Sequence, residues 1–302
     1  MSKISKIIII VAVLFISISS LVVMNNKNKT VNANEAELYL YNGNKNIECL
    51  YYNKTDFINV PDYIIKQDVG TIHGCIVPHH LVAKDLIHEV FQNVSINKYK
   101  TVILIGPDHE SIDKGKIFTT LSDWQTPTGL LEMDRELTRK LLKNSFVIEN
   151  NDKLTIEHST SSIIPFIKYY LKDVNVVTLV LTKQVKLEDI DNLVNELYAN
   201  VNINETLFIA SVDFSHYLDL NNANKMDLIS MDAIHNYDIN KIMTFTNDNL
   251  DSPISIVSML KMMDKAGVTG KMVLNHSNSE LILKMMAEET TSYITYLFYG
   301  EK

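Results

Sequence analysis

Residues 101–110 read Thr101-Val102-Ile103-Leu104-Ile105-Gly106-Pro107-Asp108-His109-Glu110, an apolar, β-branched run that ends in a polar cluster with a histidine. The pattern recurs where residues 71–77 run into Pro78-His79-His80, and again across residues 206–217, which end in Asp213-Phe214-Ser215-His216-Tyr217. In a parallel α/β sheet, ligands bind in the crevice outside the carboxyl ends of the strands. The three runs therefore predict that histidines from distant parts of the chain meet at one sheet edge.

From residue 71 onward the chain alternates short β-branched runs with longer helical patterns, without an internal repeat. The predicted strands span residues 71–77, 101–105, 174–181, 206–210, 271–275 and 292–299. The predicted helices span residues 81–91, 134–142, 165–171, 187–199, 222–235, 239–245 and 253–266. This alternation predicts an α/β fold, a three-layer α/β/α domain with a predominantly parallel sheet over residues 71–302.

The composition is that of a folded globular protein. Of the 302 residues, 46% are hydrophobic and 21% are charged, which excludes the low hydrophobicity of a disordered chain. The formal net charge is -8, and no basic face is apparent in the sequence. Nucleic acid is therefore not an expected partner.

The amino-terminal residues have the layout of a secretory signal. Lys3 and Lys6 precede an apolar segment over residues 7–24, and a polar stretch follows it. The apolar segment has 18 residues, the lower limit for crossing a bilayer. We therefore predict that residues 1–33 are a signal peptide or an N-terminal membrane anchor. Either way the protein is expected to be exported, as an extracellular protein or one held on the outer face of the cell membrane by an uncleaved segment.

Residues 34–70 are rich in asparagine, and we interpret them as a linker that could include one edge strand. The chain has two cysteines, Cys49 and Cys75. Outside the cytoplasm they could form a disulfide, but a reduced pair fits the sequence equally well. The count alone leaves both alternatives open.

Five histidines are candidates for chemistry, because imidazole can bind a metal or move a proton near neutral pH. They are His79, His80, His109, His158 and His216. The carboxylates available to complete a site are Asp108, Glu110, Asp213, Glu157 and Asp251, and the sequence does not choose among them. Asp213 lies three residues before His216 on one predicted loop, so it could orient an imidazole, either that of a metal ligand or that of a base such as His216.

Trp124, the only tryptophan, lies in the turn-rich segment 124–129. It could anchor a packed loop or form an aromatic wall of a cleft. The sequence contains no phosphate-binding glycine-rich loop, no cysteine-based zinc pattern and no nucleophile elbow.

Five segments together resemble the Memo family, known in bacteria as AmmeMemoRadiSam system protein B. They are Val77-Pro78-His79-His80-Leu81-Val82-Ala83, Ile105-Gly106-Pro107-Asp108-His109, Asp123-Trp124-Gln125-Thr126-Pro127-Thr128-Gly129, Glu157-His158-Ser159 and Ser211-Val212-Asp213-Phe214-Ser215-His216-Tyr217. They occur in the family's order and cover residues 71–299. That family resembles the class III extradiol ring-cleaving dioxygenases in fold, so the resemblance implies a dioxygenase-like scaffold.

The resemblance also implies roles for particular residues. His79 and His109 match histidines regarded as metal ligands, and His216 matches the histidine regarded as the acid/base. A third ligand, a glutamate in the dioxygenases and a cysteine in some Memo proteins, would lie just before Pro253. Among residues 249–252 the sequence offers Asp251 as the only good ligand there.

The same resemblance draws attention to two further features. Glu157-His158 matches a pair that the family shares near its site. The chain reads Pro78-His79-His80-Leu81 where many relatives read Pro-His-Ala-Gly, so His80 is an additional candidate.

These residues and motifs predict one function and leave two alternatives. The first is a metal-dependent redox or dioxygenase-like protein that binds iron (Fe²⁺) or copper. Its metal ligands would be His79, His109 and Asp251, its catalytic residues His216, Asp213 and His158, and its substrate cleft His80, Asp108, Trp124 and Glu157. The alternatives are a non-catalytic module that binds a small molecule or a protein without any metal, and a hydrolase that uses zinc-bound water. The sequence leaves the substrate, the metal and the oligomeric state open.

Overall fold

The structure is a computed structural model, and it describes residues 46–66, 69–110 and 115–300. These residues belong to one compact unit, Asn46–Lys302. The predicted signal peptide or anchor lies outside the described residues. No helix in the described ranges is both long enough and apolar enough to cross a membrane.

The strands of the described ranges are, in chain order, β1 (Ile47–Glu48), β2 (Ile72–Val77), β3 (Thr101–Pro107), β4 (Ile117–Thr119), β5 (Trp124–Thr126), β6 (Gly129–Leu131), β7 (Val147–Glu149), β8 (Asn175–Leu181), β9 (Thr206–Ser211), β10 (Gly270–Asn278) and β11 (Ser292–Tyr299). The α-helices are α1 (Lys84–Val94), α2 (Arg135–Leu141), α3 (Asn151–Ile156), α4 (His158–Ser161), α5 (Ile164–Leu171), α6 (Leu187–Asn200), α7 (Leu220–His235), α8 (Ile239–Ile242), α9 (Pro253–Lys265) and α10 (Ser279–Leu283). Short 3₁₀ turns cover Lys54–Phe57, Leu81–Ala83 and Ile203–Glu205.

The main sheet has eight strands in the order β10-β11-β2-β9-β3-β8-β4-β7. Its centre, β2-β9-β3-β8, is parallel throughout. The hairpin β10-β11 forms an antiparallel edge, and β4 runs antiparallel to β8. A smaller sheet has the order β1-β5-β6.

Helices cover both faces of the main sheet. Successive residues of a strand point to opposite sides of the sheet, so each central strand packs against both helical layers. On one face Ile103 and Ile105 of β3 pack with residues of α6 and α9. On the other face Val102 and Leu104 pack with residues of α1 and α5. The expected three-layer α/β/α fold with a predominantly parallel sheet is confirmed.

The described part of the expected linker packs on the domain. Ile47 of β1 pairs in parallel with Trp124 of β5, so the segment does contribute an edge strand. The side chain of Lys84 donates to Asp56 at 2.6 Å, and His88 contacts the Asp56 carbonyl oxygen at 2.9 Å. The linker interpretation is therefore wrong for residues 46–66, because buried polar contacts hold them to α1.

Both cysteines are free thiols buried in the core. Burial raises the pKa of the Cys49 and Cys75 thiols well above their ordinary value, because the charged form is poorly solvated there. Of the two alternatives for these cysteines, the structure therefore has the unpaired one.

Candidate metal centre

The carboxyl ends of three adjacent strands deliver the central residues of the site. Val77 of β2 pairs with Ser211 of β9, and Ile105 of β3 pairs with Ala210 one residue earlier. His79, His109 and Asp213 follow these strand ends, so the sheet register brings their loops side by side.

Asp251 reaches the same point from the loop before α9. An isolated antiparallel bridge joins Leu250 to Phe214, and the Asp251 amide donates to the Asp213 carbonyl oxygen at 3.1 Å. Asp251 Oδ2 then lies 3.2 Å from His79 Nε2 and 3.5 Å from His109 Nε2. Two atoms that bind one first-row metal at ~2.1 Å are themselves about 3.0–3.4 Å apart. Each histidine Nε2 therefore lies close to ligand spacing from Asp251 Oδ2, and His79, Asp213 and Asp251 form one group whose ligand atoms lie within 4.8 Å of one another.

The second oxygen of the Asp251 carboxylate, Oδ1, is available for a further contact. Only 7% of its side chain is exposed, and Oδ1 is buried without a hydrogen-bond partner among the described residues. Burial alone would raise the pKa of Asp251, but the His79 and His109 imidazoles outweigh it and hold that pKa well below its usual range. A buried, ionised carboxylate oxygen without a donor is unusual, and a cation would satisfy it.

Hydrogen bonds fix the tautomer in which each imidazole could bind a metal. The Ser211 hydroxyl donates its single hydrogen to the Ser159 carbonyl oxygen at 2.5 Å, so it can only accept from His79 Nδ1, 3.3 Å away. On the other side, His109 Nδ1 lies 2.8 Å from Glu157 Oε1 and donates to that carboxylate. Both rings therefore turn Nε2 toward Asp251, an arrangement typical of metal-binding histidines.

Glu157 is held firmly in this role. Its carboxylate accepts from the backbone amides of His109 and Ser159, each at 2.8 Å. Burial acts to raise the pKa of Glu157, but the hydrogen bond from His109 and its charge outweigh that effect and lower the pKa to about 2. Burial acts to lower the pKa of His109, yet hydrogen bonds to Asp251 and Glu157 raise it to about 10. Without a metal, His109 is a cation at neutral pH.

Asp213 turns toward His79 rather than toward His216. Its Oδ1 accepts from the His79 amide at 3.0 Å, and its Oδ2 lies 3.6 Å from His79 Nε2. Burial acts to lower the pKa of His79, but Asp213 and Asp251 raise it overall. Of the two alternatives for Asp213, the structure has the one in which it orients the imidazole of His79; the alternative in which it orients His216 is wrong, because the short loop directs its carboxylate back to the end of β2.

His158 completes a cluster of three imidazoles. Its ring stacks on His109 with centroids 4.2 Å apart and meets His79 edge-on at 5.2 Å. Each of the three rings offers a nitrogen within 4.8 Å of the others. Burial and the neighbouring His79 and His109 lower the pKa of His158 to about 4, so it is neutral at pH 7.

Two cavities meet at the cluster. The smaller has a volume of about 610 Å³, and the larger has about 800 Å³. His109, His216 and Tyr217 line both of them. His216 Nδ1 is buried and has no hydrogen-bond partner among the described residues. Tyr217 has the left-handed φ of 60° and is 67% exposed, a strained conformation at the mouth of both cavities.

The remaining cleft candidates have different positions. His80 lines the smaller cavity. Asp108 lies beside the larger one, but its Oδ1 accepts from Lys153 Nζ at 3.0 Å in a buried ion pair. Trp124 is fully buried in the core beside β1 and β6, so its assignment to the cleft is wrong. Tyr51 lines the smaller cavity instead; sequence reasoning missed it because it precedes the predicted domain.

The sequence also matches the profile of a known protein family. The profile of the family described as Memo-like protein matches residues 53–297, most of the chain. The chain belongs to the Memo-like protein family. The resemblance stated from the sequence motifs is therefore confirmed.

Two similar proteins are described as members of the MEMO1 family. A MEMO1 family protein of Methanococcus vannielii is 28% identical over 257 residues, which cover 80% of this chain and 89% of the relative. One from Methanosarcina barkeri is 32% identical over 189 residues, covering 60% of this chain and 70% of the relative. Among solved structures, an uncharacterized protein from Escherichia coli K12 aligns with a TM-score of 0.47 and 11% identity, covering 74% of this chain and 98% of that one.

Proposed function

We propose that this Memo-like protein is a metal-dependent redox protein of the dioxygenase-like type, with iron(II) held by His79, His109 and Asp251. One observation carries the proposal: Asp251 Oδ2 lies 3.2 and 3.5 Å from the Nε2 atoms of the two histidines. Two histidines and one carboxylate on one side of a metal are the ligand set of non-haem iron(II) oxygenases.

The donor set favours iron(II) over copper(I). Copper(I) is selected by soft thiolate ligands, whereas imidazole and carboxylate suit iron(II). The sequence resemblance implies a ligand just before Pro253, which is a cysteine in some Memo proteins, and Asp251 is the good ligand that this chain has there. Cys49 and Cys75 are buried in the hydrophobic core. When bound, iron(II) would supply a redox-active centre with open coordination positions.

Neighbouring residues orient the two histidines toward the proposed metal position. Glu157 accepts from His109 Nδ1, and Ser211 accepts from His79 Nδ1, so each ring keeps its Nε2 lone pair for the metal. Asp213 adds a second carboxylate 3.6 Å from His79 Nε2, which offsets the charge of a divalent cation.

His216 is the residue that we assign to proton transfer. It lines both cavities, and its buried Nδ1 lacks a hydrogen-bond partner among the described residues. An imidazole in the wall of a cavity can accept a proton from a ligand there and return it. His158, which is neutral at pH 7, packs against His109 and also lines the smaller cavity.

Metal content tests the proposal. The protein is purified without oxygen, reconstituted separately with iron(II), copper(I) and zinc(II), desalted and analysed for metal. We expect about one iron per chain in the wild type, and near-complete loss in His79→Ala and Asp251→Ala. His235→Ala removes an exposed histidine at the end of α7 and serves as the matched control. A wild type that retains none of the three metals would overturn the proposal and leave the metal-free binding module.

A further inference from the structure

His80 is held by one buried phenol. His80 Nδ1 lies 2.6 Å from the hydroxyl of Tyr293, a fully buried residue of β11. The two rings also contact each other, with centroids 5.8 Å apart.

The direction of this hydrogen bond follows from counting hydrogens, because the phenol has only one to donate. Among the described residues, His80 Nδ1 is the one partner at hydrogen-bond distance from the Tyr293 hydroxyl. If His80 donated instead, the buried phenolic hydrogen would have no acceptor there. Tyr293 therefore donates to His80.

The consequence is a fixed tautomer for His80. A ring whose Nδ1 accepts a hydrogen bond has its proton on Nε2 in the neutral form. His80 is exposed and lines the smaller cavity beside His79, His158 and Leu81. Burial acts first to keep the pKa of Tyr293 above its ordinary value, and the nearby Asp213 acts in the same direction, so the donating hydroxyl keeps its hydrogen.

We propose that His80 is a specificity-determining residue, whose Nε2–H donates to an acceptor oxygen of the ligand in the smaller cavity. The ligand class is a small molecule with a carbonyl or carboxylate oxygen placed away from the atoms that face the metal. The proposal deepens the proposed function, because it takes this cavity as the ligand site of the metal centre. Leu81 and Tyr51 add apolar and aromatic walls, which suit a ligand with a hydrophobic body.

The tautomer is tested by ¹⁵N NMR of histidine-labelled, metal-free protein. We expect His80 to show a protonated Nε2 and an unprotonated Nδ1, and a mixture of tautomers in Tyr293→Phe, which removes only the hydroxyl. A protonated Nδ1 in the wild type, or identical spectra in both proteins, would overturn the proposal.

Ligand recognition is tested with three probes of one shape in metal-free and zinc-loaded protein. Benzoate and acetophenone have acceptor oxygens, charged and neutral respectively, and ethylbenzene has none. We expect His80→Ala to weaken binding of at least one oxygen-bearing probe about tenfold, the value of one good hydrogen bond. His80→Gln, which retains an N–H donor, should restore most of the loss, and ethylbenzene should bind all three proteins equally.

The outcomes separate the two proposals. Equal binding of both oxygen-bearing probes to the wild type and His80→Ala, or no binding of either to the wild type, overturns the role of His80. Metal analysis of the same samples is independent, and we expect unchanged zinc content in His80→Ala. Wild type that holds no metal but still distinguishes the probes through His80 would overturn the proposed function alone.

Discussion

At the scale of single residues, the site depends on which atom of each histidine is free. Glu157 and Ser211 occupy the Nδ1 atoms of His109 and His79, so both Nε2 atoms face Asp251. The sequence predicted His79, His109 and Asp251 together only through the family resemblance. It could not predict Ser211 as a partner, because that contact depends on the pairing of β2 with β9.

Glu157→Gln should weaken metal binding about 10- to 100-fold, the range found when a partner of a metal-binding histidine is removed. The amide leaves His109 without a charged acceptor, so its ring is less firmly oriented and a poorer ligand. Competition with a chelator measures the change. Glu136→Gln, at an exposed ion pair with Lys140, is the control and should bind metal like the wild type. Equal affinity in the two variants would contradict the role given to Glu157.

Asp251→Cys should change the metal preference. A thiolate in place of the carboxylate favours copper(I), so the ratio of copper(I) to iron(II) affinity should rise by at least about tenfold. Anaerobic competition between the two metals measures that ratio. An unchanged ratio would mean that the residue at position 251 does not contact the metal.

At the scale of elements, most of the fold could be predicted because long elements have a clear period. The strand predicted at residues 292–299 has these bounds in the structure, and the helix predicted at 187–199 ends one residue later. Shorter elements were harder to predict from the sequence. The turn-rich segment after Asp123, for example, forms the hairpin β5-β6. The position of Asp251 could not be predicted, because a bridge between Leu250 and Phe214 sets it.

One buried carboxylate joins three elements near the site. Asp227 of α7 accepts from the Ser215 hydroxyl at 2.6 Å and lies 2.8 Å from His276 Nε2 on β10. Ser215 directly precedes His216, so this contact fixes the loop that carries the proposed proton-transfer residue. His276 is therefore a structural partner of Asp227.

Asp227→Ala should lower the free energy of unfolding by about 2–4 kcal/mol, because it leaves His276 without this acceptor and the buried Ser215 hydroxyl with only the longer contact to the Ala223 carbonyl oxygen, at 3.3 Å. Urea denaturation measures the loss. Asp232→Ala, at an exposed position of the same helix, should change stability by less than about 0.5 kcal/mol. Similar values for both variants would contradict the structural role of Asp227.

At the scale of the whole molecule, the ion pair between Glu157 and His109 should make the free energy of unfolding depend on pH. The folded pKa of Glu157 is about 2, below its ordinary 4.5, so its contribution is present above pH 4.5 and lost as the pH falls toward 2. The folded pKa of His109 is about 10, above its ordinary 6.5, so its contribution is present below pH 6.5 and lost as the pH rises toward 10. The pair therefore stabilises the metal-free protein most between pH 4.5 and 6.5.

We expect the difference in unfolding free energy between metal-free wild type and Glu157→Gln to be largest in that window and to shrink on both sides. Denaturation of both proteins from pH 3 to about 9 measures it. Stabilisation by bound metal should instead increase as the pH rises above 6.5, because His109 must lose a proton to bind the metal. A difference that does not vary with pH would contradict the assigned pKa shifts.

The central claim is that imidazoles from two strand ends and a carboxylate from a distant loop hold one metal. X-ray absorption at the iron edge, on anaerobically reconstituted protein, tests it most directly. We predict a shell with scattering from two imidazoles, oxygen neighbours and no sulfur, and the loss of bound iron in Asp251→Ala. Iron with fewer than two imidazole neighbours, or an identical spectrum in that variant, would contradict the account.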